Sequence, residues 1–264
     1  MTPTLLSSPI IPDSKMILCQ SESGMGEMPL RSFETALGEE LEKVRRSLLG
    51  TVQSTTSEIL AELASYYASR PSKQMRPRLV LLLAQATATN ASPVSAKHLC
   101  LAEIVEMIHV ASLLHDDVLD NAATRRGDLS APARYGNKST VLTGDFLLAK
   151  LMTLAVSLGN WEVAQEIPGM IGELIEGEIQ QAEDAHDALK AASSLIQGTD
   201  YDALWAKYIH RIYLKTGTLF ARSAKCSVLL HKDISGDMVI SAYEYGRNLG
   251  IAFQVSEVAL KTTP

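Results

Sequence analysis

Helical patterning extends through nearly the whole sequence from Phe33 onward, and it limits the folds that are open to the chain. Apolar residues recur every three or four positions, which is the spacing of one helix face. No segment alternates polar and apolar residues over a useful length, so we expect no strands. The pattern predicts a single-domain, all-α helical bundle over residues 33–264, preceded by a disordered leader at 1–32. Its helical segments are 33–49, 51–67, 76–89, 95–120, 139–158, 161–185, 201–229 and 236–254.

The net charge of the chain limits the kinds of molecule that it is expected to bind. The formal net charge is −6 at pH 7, and a negative surface does not attract nucleic acid or anionic membranes. No nucleic-acid partner is therefore expected. No apolar run approaches the length of a bilayer span, so the sequence predicts at most peripheral membrane contact. Any polyanionic ligand must be held by local basic residues or by metal ions.

A histidine and three aspartates lie within one apolar helical segment. His109, Asp116 and Asp120 are seven and four residues apart, which places them on one helix face, with Asp117 about 100° away. Carboxylates one turn apart repel each other unless a cation lies between them. Mg²⁺ suits this pattern, because it binds one or two carboxylates and completes its octahedron with waters and substrate phosphates. The alternative is an ordinary solvated acidic helix end.

Basic residues occur in two places near this segment. Arg125 and Arg126 follow it directly, and guanidinium groups match phosphate oxygens. Lys73, Arg76 and Arg78 lie at the start of another helix, where a phosphate finds favourable charge. On these residues alone, a solvated basic turn is the simpler interpretation of the second cluster. Metal-binding carboxylates followed by two arginines predict a diphosphate clamp.

Two later segments contain candidate polar contacts. Lys215 and Thr216 are adjacent in an amphipathic helix and offer a charge and a hydroxyl to a phosphate, although taken alone they are an ordinary helix surface. Gln181 is a candidate to point into a cavity. Its neighbouring glutamates are most simply a solvated face, and they are Glu173, Glu176 and Glu178.

Taken together and in this order, the motifs resemble those of the trans-prenyl (polyprenyl) diphosphate synthases. The resemblance runs from about residue 35 to Gln254 and is strongest to the long-chain branch that makes quinone side chains, of the hexaprenyl, solanesyl and decaprenyl type. It implies an isoprenoid synthase fold and a Mg²⁺-dependent prenyltransferase that joins isopentenyl diphosphate to an allylic diphosphate. The segments that carry the resemblance are 113–120, 124–126, 144–148 and 245–254.

The resemblance also implies a role for each matching residue. Asp116, Asp117 and Asp120 are similar to the first Asp-rich motif, which binds Mg²⁺ and the allylic diphosphate. The implied catalytic residues are Asp116, Asp120 and Lys215. The implied further contacts of the allylic diphosphate are Arg125, Lys215, Thr216 and Gln254. The implied isopentenyl diphosphate site consists of Lys73, Arg76, His109 and Arg126. Ser72 stands where the family usually has a glycine.

The sequence departs from the family pattern after Gln254. Glu257 and Val258 stand where the resemblance predicts an aspartate pair, the second Asp-rich motif, and we expect the chain to lack the family's C-terminal helices. Three interpretations stay open: an active synthase with an altered second site, a non-catalytic partner subunit, and a truncated gene model of an ordinary enzyme. A terpene cyclase also uses an aspartate-rich Mg²⁺ helix, but it has no second diphosphate substrate to occupy the implied isopentenyl site.

Product, assembly and location are expectations from the resemblance. Ala111 and Ser112 precede the aspartates where short-chain members often carry aromatic residues, so these small residues favour a long product. We expect a homodimer or a heterodimer with a full-length synthase. The resemblance suggests mitochondria and ubiquinone, although residues 1–30 contain three acidic residues against Lys15 alone, a weak presequence. The alternatives are the cytoplasm and a terpenoid or meroterpenoid pathway with a shorter product such as geranyl diphosphate.

Overall fold

The computed structural model describes residues 37–70, 72–88, 94–191 and 201–262, and these residues are almost entirely helical. One π turn lies at Tyr213–Gly217. The all-α prediction is confirmed, and the leader predicted at 1–32 lies outside the described residues. The helices are α1 (Gly38–Gln53), α2 (Glu58–Ala68), α3 (Met75–Ala86), α4 (Ala96–Leu119), α5 (Ala131–Tyr135), α6 (Asn137–Ser157), α7 (Trp161–Ala191), α8 (Tyr201–Ile212), α9 (Thr218–Leu229) and α10 (Gly236–Thr262).

Helix α4 lies at the centre of the bundle. It contacts α1, α3, α5, α6 and α9, and the Ser95 side chain caps its first turn by accepting a hydrogen bond from the His98 N–H. Because neighbours surround it, its buried apolar residues are not confined to one stripe; Leu101, Ala102 and Met107, which point in different directions around the helix, are each fully buried. Polar side chains on such a helix need either hydrogen-bond partners or a cleft, and a cleft opens at its C-terminal half.

The prediction that the chain has no strands is wrong at one place. Thr124–Arg125 and Asp128–Leu129 pair as two short antiparallel strands. The residues that join them, Arg126 and Gly127, have φ of 54° and 84°, the left-handed conformation that a type I′ hairpin turn requires. Strands of this length are too short to show polar–apolar alternation, which is why the pattern missed them.

The predicted helix 201–229 is interrupted by the π turn between α8 and α9. Two glycines on neighbouring helices permit a close approach to that turn. A Cβ added at Gly177 of α7 would lie 2.9 Å from the Lys215 backbone nitrogen, and one at Gly250 of α10 would lie 2.8 Å from the Gly217 Cα. The π turn is therefore held between α7 and α10, an arrangement that the helical periodicity does not reveal.

Two described helices are long and apolar enough to cross a bilayer by length and composition alone, contrary to the sequence-based expectation. In α4, 67% of the most apolar 18-residue stretch is buried, because the neighbouring helices surround it. In α6 only 33% of the corresponding stretch is buried. Its exposed stripe includes Leu142, Ala149 and Val156 at seven-residue intervals, a spacing typical of helices that pack against another helix. Helix α6 thus leaves an apolar stripe on the outside of the described structure.

Candidate active site

One wall of a polar cleft is formed by the C-terminal turns of α4. Asp116 is half-buried there, and Asp120 is the exposed residue that ends the helix. Burial raises the pKa of Asp116 to about 7, with Glu178 and Asp120 adding to the rise and Lys215 and Arg125 opposing it. Since Glu178 lies on α7 and Lys215 on the π turn, these two elements form the opposite wall. Asp116 is therefore a crowded carboxylate that a cation would stabilise.

The opposite wall brings together polar residues that are distant in sequence. The Lys215 ammonium donates hydrogen bonds to Glu178 Oε2 at 2.9 Å and to Gln181 Oε1 at 2.8 Å. The Thr216 hydroxyl donates to Gln254 Oε1 at 3.0 Å. Lys215 thus contacts α7 and Thr216 contacts Gln254 of α10, so the three residues that the resemblance assigned to one ligand lie around the π turn.

The expectation of a solvated glutamate face on α7 is wrong for two of its three members. Glu178 forms an ion pair with Lys215, and Glu173 forms one with Arg222. Glu176 is exposed, as predicted. Three glutamates this close in sequence point in different directions around a helix, so only tertiary packing decides which of them meet a cation.

Asp117 lies on the buried side of α4, not in the cleft that Asp116 and Asp120 share. Its side chain is fully buried, and it accepts hydrogen bonds from the Tyr67 hydroxyl and from the Arg125 guanidinium, with Nε to Oδ1 at 2.8 Å. Burial and the bond to Asp117 raise the pKa of Tyr67 to about 12, so this hydroxyl remains a donor. The geometry gives Asp117 the task of holding Arg125 and does not support its predicted role as a metal ligand.

Arg70 also holds the hairpin formed by Thr124–Arg125 and Asp128–Leu129. No pattern in the sequence predicted this role of Arg70. Its Nη1 donates to the Arg125 carbonyl at 2.8 Å, and its Nη2 lies 3.2 Å from Asp128 Oδ2. Its guanidinium also stacks on the Tyr66 ring, 4.1 Å from the centroid. Arg70 and Asp117 together hold the backbone and the side chain of Arg125, across 55 and 8 residues of sequence.

A cavity of about 280 Å³ lies beside the cleft, and its lining includes the side chains of four arginines. This volume is near the lower end of the range for small-ligand pockets, about 300–1,000 Å³. The cavity is a local concentration of positive charge in a chain whose net charge is −6, as a small polyanionic ligand requires. Its polar lining includes Arg45, Arg70, Ser72, Gln74, Glu106, His109, Arg125 and Arg126.

The protonation states around this cavity follow from its burial and its cations. Burial lowers the pKa of His109 well below its ordinary value, and Arg76, Arg126 and Arg125 lower it further, so His109 is neutral. Burial raises the pKa of Glu106, against the effect of Arg76 and Arg126. Glu106 was missed by the sequence interpretation, although it lies three residues before His109 and thus on the same side of α4.

Two predicted phosphate contacts lie outside the cavity lining. Burial lowers the pKa of Arg76 to about 10, which still leaves it cationic at neutral pH. Its buried Nε has no hydrogen-bond partner among the described residues, so it is available to an anion. Lys73 is exposed and forms an ion pair with Glu257 at 3.1 Å. In the same loop the left-handed residue is Gln74, with φ of 45°, so the serine at position 72 causes no backbone strain.

The donor set fits a hard divalent cation bound with few protein ligands. Within the described part of the chain, no group of three His, Cys, Asp or Glu side chains is arranged to hold a metal. Mg²⁺ does not need one, because it commonly takes one or two carboxylates and completes its shell with waters and substrate phosphates. Asp116 and Asp120, crowded by Glu178, meet that requirement once a phosphate-bearing ligand is present.

Fold and cleft together define an all-α protein of the isoprenoid synthase type. Among solved structures, the chain superposes on a decaprenyl diphosphate synthase from Rhodobacter capsulatus with a TM-score of 0.75 and 31% identity, covering 88% of this chain and 66% of that one. The polyprenyl synthetase family model matches residues 57–258. The chain belongs to that family.

Curated relatives confirm the resemblance to the long-chain branch. The chain is 35% identical over 255 residues to decaprenyl-diphosphate synthase subunit 1 of Schizosaccharomyces pombe, covering 88% of this chain and 65% of the yeast protein. It is 39% identical over 208 residues to decaprenyl-diphosphate synthase of Dictyostelium discoideum, covering 79% of this chain and 41% of that protein. The chain thus spans less than two thirds of the length of either relative.

Proposed function

We propose that this protein is a Mg²⁺-dependent prenyltransferase that condenses isopentenyl diphosphate with an allylic diphosphate to form a polyprenyl diphosphate. The observation that carries the proposal is the cleft itself, where Asp116 and Asp120 face Lys215 and Glu178 and a cationic cavity opens alongside. The cleft offers metal-binding carboxylates to one diphosphate substrate, and the adjoining cationic cavity offers arginines to a second. A related polyprenyl synthase from Caulobacter crescentus, 28% identical with a TM-score of 0.74, is complexed with calcium and isoprenyl diphosphate.

The residues on the cleft walls are assigned to the allylic diphosphate. Asp116 and Asp120 would hold Mg²⁺, which when bound stabilises negative charge on the diphosphate leaving group. Lys215, Thr216 and Arg125 would bind the remaining phosphate oxygens by charge-assisted hydrogen bonds. These contacts strengthen as the allylic C–O bond breaks, because negative charge then accumulates on the departing oxygen.

The residues around the cavity are assigned to isopentenyl diphosphate. Arg126 and the neutral His109, which line the cavity, would hold its diphosphate so that its double bond faces the allylic carbon. Arg76 and Lys73 are proposed as further contacts from outside that lining. The double bond attacks the allylic cation, a new C–C bond forms, and a proton leaves to the released diphosphate. The apolar core around α4 keeps water from the cation.

A direct assay tests the proposal. Purified protein would be incubated with MgCl₂, radiolabelled isopentenyl diphosphate and geranyl, farnesyl or geranylgeranyl diphosphate, and the extracted products would be separated by chain length. We expect elongated products that disappear when EDTA replaces MgCl₂. The absence of product with every primer, together with no Mg²⁺-dependent binding of a diphosphate, would contradict the proposal.

A non-catalytic partner subunit is the second candidate, favoured by the Lys73–Glu257 ion pair. Glu257 lies where a second metal-binding motif is expected, yet it neutralises a lysine assigned to substrate. The apolar stripe of α6, which includes Leu142 and Val156 at 52% and 77% exposure, offers a surface for a second chain. We therefore propose a homodimer or a heterodimer with a full-length synthase. Sedimentation of the protein alone and mixed with such a synthase separates these states, and product formed only in the mixture favours the subunit role.

Location and pathway are proposed from the relatives. Solanesyl-diphosphate synthase 1 of Oryza sativa and a probable hexaprenyl pyrophosphate synthase of Yarrowia lipolytica are both named as mitochondrial, whereas a second Oryza sativa solanesyl synthase is named as chloroplastic. We propose mitochondria and a quinone side chain, with the cytoplasm and a shorter terpenoid or meroterpenoid precursor as alternatives. Microscopy of the full-length protein fused at its C-terminus to a fluorescent protein tests the location.

Product length is predicted to depend on Ser112 more than on Ala111. Ala111 is buried in the core, whereas Ser112 is partly exposed and lies within about 40° of Asp116 on the helix. Ser112→Phe is expected to block a growing tail at the cleft and to shorten the main product by one or more isoprene units. Chromatography of the dephosphorylated products measures this. Ala111→Phe, the matched control, should overpack the core and destabilise the protein by about 1–3 kcal/mol; unchanged products from Ser112→Phe would contradict the prediction.

Arg126 is predicted to contribute to substrate binding. It occupies a left-handed turn position, with φ of 54°, that glycine adopts without strain. Arg126→Gly is therefore expected to weaken binding of isopentenyl diphosphate about 10–100-fold through loss of a charge-assisted contact. Calorimetry measures the affinity, and urea unfolding checks that the variant is folded. Arg126→Asn, which also tolerates this conformation, should behave alike; full affinity in both variants would rule out the contact.

A further inference from the structure

Three donors from one stretch of chain converge on a single carboxylate that the proposed reaction does not use. The hydroxyls of Tyr213 and Thr218 and the guanidinium of Arg222 all donate hydrogen bonds to Glu173 of α7. Tyr213 lies 3.4 Å and the Arg222 Nε lies 3.1 Å from the same oxygen, Oε2. Burial alone would raise the pKa of Glu173, but the bonds from Arg222 and Thr218 hold it below its ordinary value, so the carboxylate is ionised.

This convergence depends on the π turn. In a regular α-helix, residues five positions apart point about 140° away from each other. Tyr213 is the first residue of the π turn and Thr218 directly follows its last. The hydrogen bonds of a π turn span five residues and so bring these two residues onto one side. Arg222, four residues after Thr218, continues the same line within α9. Glu173 can therefore accept all three bonds only while the π turn is in place.

The same turn carries Lys215 and Thr216 to the cleft. Gly177, one helical turn beyond Glu173 on α7, lies against Lys215, where an added Cβ would be 2.8 Å from the Lys215 Cγ. A return to regular α-helical spacing would rotate the helix on one side of the turn by about 100° relative to the other side, and Lys215 and Thr216 would turn with it. The Lys215 bonds to Glu178 and Gln181 and the Thr216 bond to Gln254 would then be lost. π turns are frequent at functional sites for this reason.

We propose that Glu173 is a positioning residue that keeps the π turn in register and so holds Lys215 and Thr216 against the allylic diphosphate. The part of this inference that concerns the ligand rests on the function proposed above. Arg222 is a shared anchor, because its Nη1 also donates to Glu166 at 2.6 Å. Glu166 in turn accepts a hydrogen bond from Lys225 at 2.7 Å, a contact that does not involve the π turn.

The first test needs no substrate. The rate at which acetic anhydride labels each lysine is measured by mass spectrometry in the parent protein, in Glu173→Ala and Glu173→Gln, and in Glu176→Gln, an exposed control on the same helix. Labelling of Lys215 is expected to rise at least about threefold in Glu173→Ala, because local opening of the turn exposes it. The increase should be smaller in Glu173→Gln, which keeps one acceptor oxygen, and absent in Glu176→Gln. Lys225, which reports general loosening between α7 and α9, should not change.

The second test uses the elongation assay. Glu173→Ala is expected to raise the KM for the allylic diphosphate about tenfold and to lower kcat, with the KM for isopentenyl diphosphate unchanged. A purely structural loss would reduce the amount of active enzyme and would not separate the two KM values. If the parent protein neither turns over nor binds diphosphates, the proposed function fails, while the labelling experiment still decides the role of Glu173. Unchanged labelling of Lys215, or an equal rise at Lys215 and Lys225, would overturn the inference.

Discussion

Replacing Asp116 with asparagine is expected to reduce kcat at least about 10³-fold, because several kcal/mol of transition-state stabilisation depend on the cation that this carboxylate holds. The same variant is expected to be more stable than the parent protein when no metal is present. Asp116 is a half-buried carboxylate close to Glu178 and Asp120, and the amide removes that repulsion. The gain at pH 8 should be about 1 kcal/mol, a common size for functional residues that are strained in the free protein.

The pH dependence of this gain has a definite sign. The pKa of Asp116 is about 7 in the folded protein, compared with its ordinary value of 3.8. Below pH 3.8 the carboxyl is protonated in both states and costs no stability. Between these values the unfolded chain releases the proton more readily, so the cost grows with pH and is complete above pH 7. Thermal melts with EDTA should therefore show a larger gain at pH 8 than at pH 5.

A matched control separates this effect from a general change of charge. Asp237→Asn removes an exposed carboxylate at the start of α10 and should alter neither turnover nor the pH profile of stability. Activity that survives Asp116→Asn would contradict the metal assignment. A melt that is lower than that of the parent at pH 8 would contradict the electrostatic interpretation of the cleft.

Asp117→Ala is expected to cause a large loss of stability, in contrast to the gain expected for Asp116→Asn. The substitution leaves the Arg125 guanidinium without its buried counter-charge and the Tyr67 hydroxyl without its acceptor. Breaking a buried ion pair from one side costs about 3–5 kcal/mol, and the partial exposure of Arg125, 30%, places the expected loss near about 3 kcal/mol. Urea unfolding at pH 7.5 measures it.

Two variants sharpen this second prediction. Asp117→Asn keeps an acceptor for Tyr67 but loses the charge, so it should cost less than Asp117→Ala. Tyr67→Phe removes the hydrogen bond to a carboxylate that Arg125 still neutralises, and it also removes the acceptor of the Ala131 N–H, which lies 2.8 Å from the Tyr67 hydroxyl. The expected cost is about 1–3 kcal/mol. A loss below about 1 kcal/mol for Asp117→Ala would mean that this pair does not hold the hairpin. We thus expect the two adjacent aspartates to have different roles, with Asp116 needed for turnover and Asp117 for stability.

The division between Asp116 and Asp117 shows how far local sequence was informative. Helical spacing predicted that Asp116 and Asp120 share a face with His109 and that Asp117 points elsewhere. It did not predict what Asp117 would meet, since Tyr67 lies 50 residues away in sequence. The solvated interpretation of Glu173 and Glu178 failed for the same reason, because their partners belong to a later segment, around the π turn.

The sequence by itself determined the all-α class, the family and the α4 face that carries the cleft carboxylates. These follow from periodicity and from motifs, which are properties of neighbouring residues along one helix. Only the tertiary structure decided that Arg70 and Asp117 both bind Arg125 and that Glu106 lines the cavity. It also decided that Glu173 accepts hydrogen bonds from three donors on both sides of a π turn. Most of these contacts join segments tens of residues apart, and their geometry depends on how the helices pack, which no local pattern encodes.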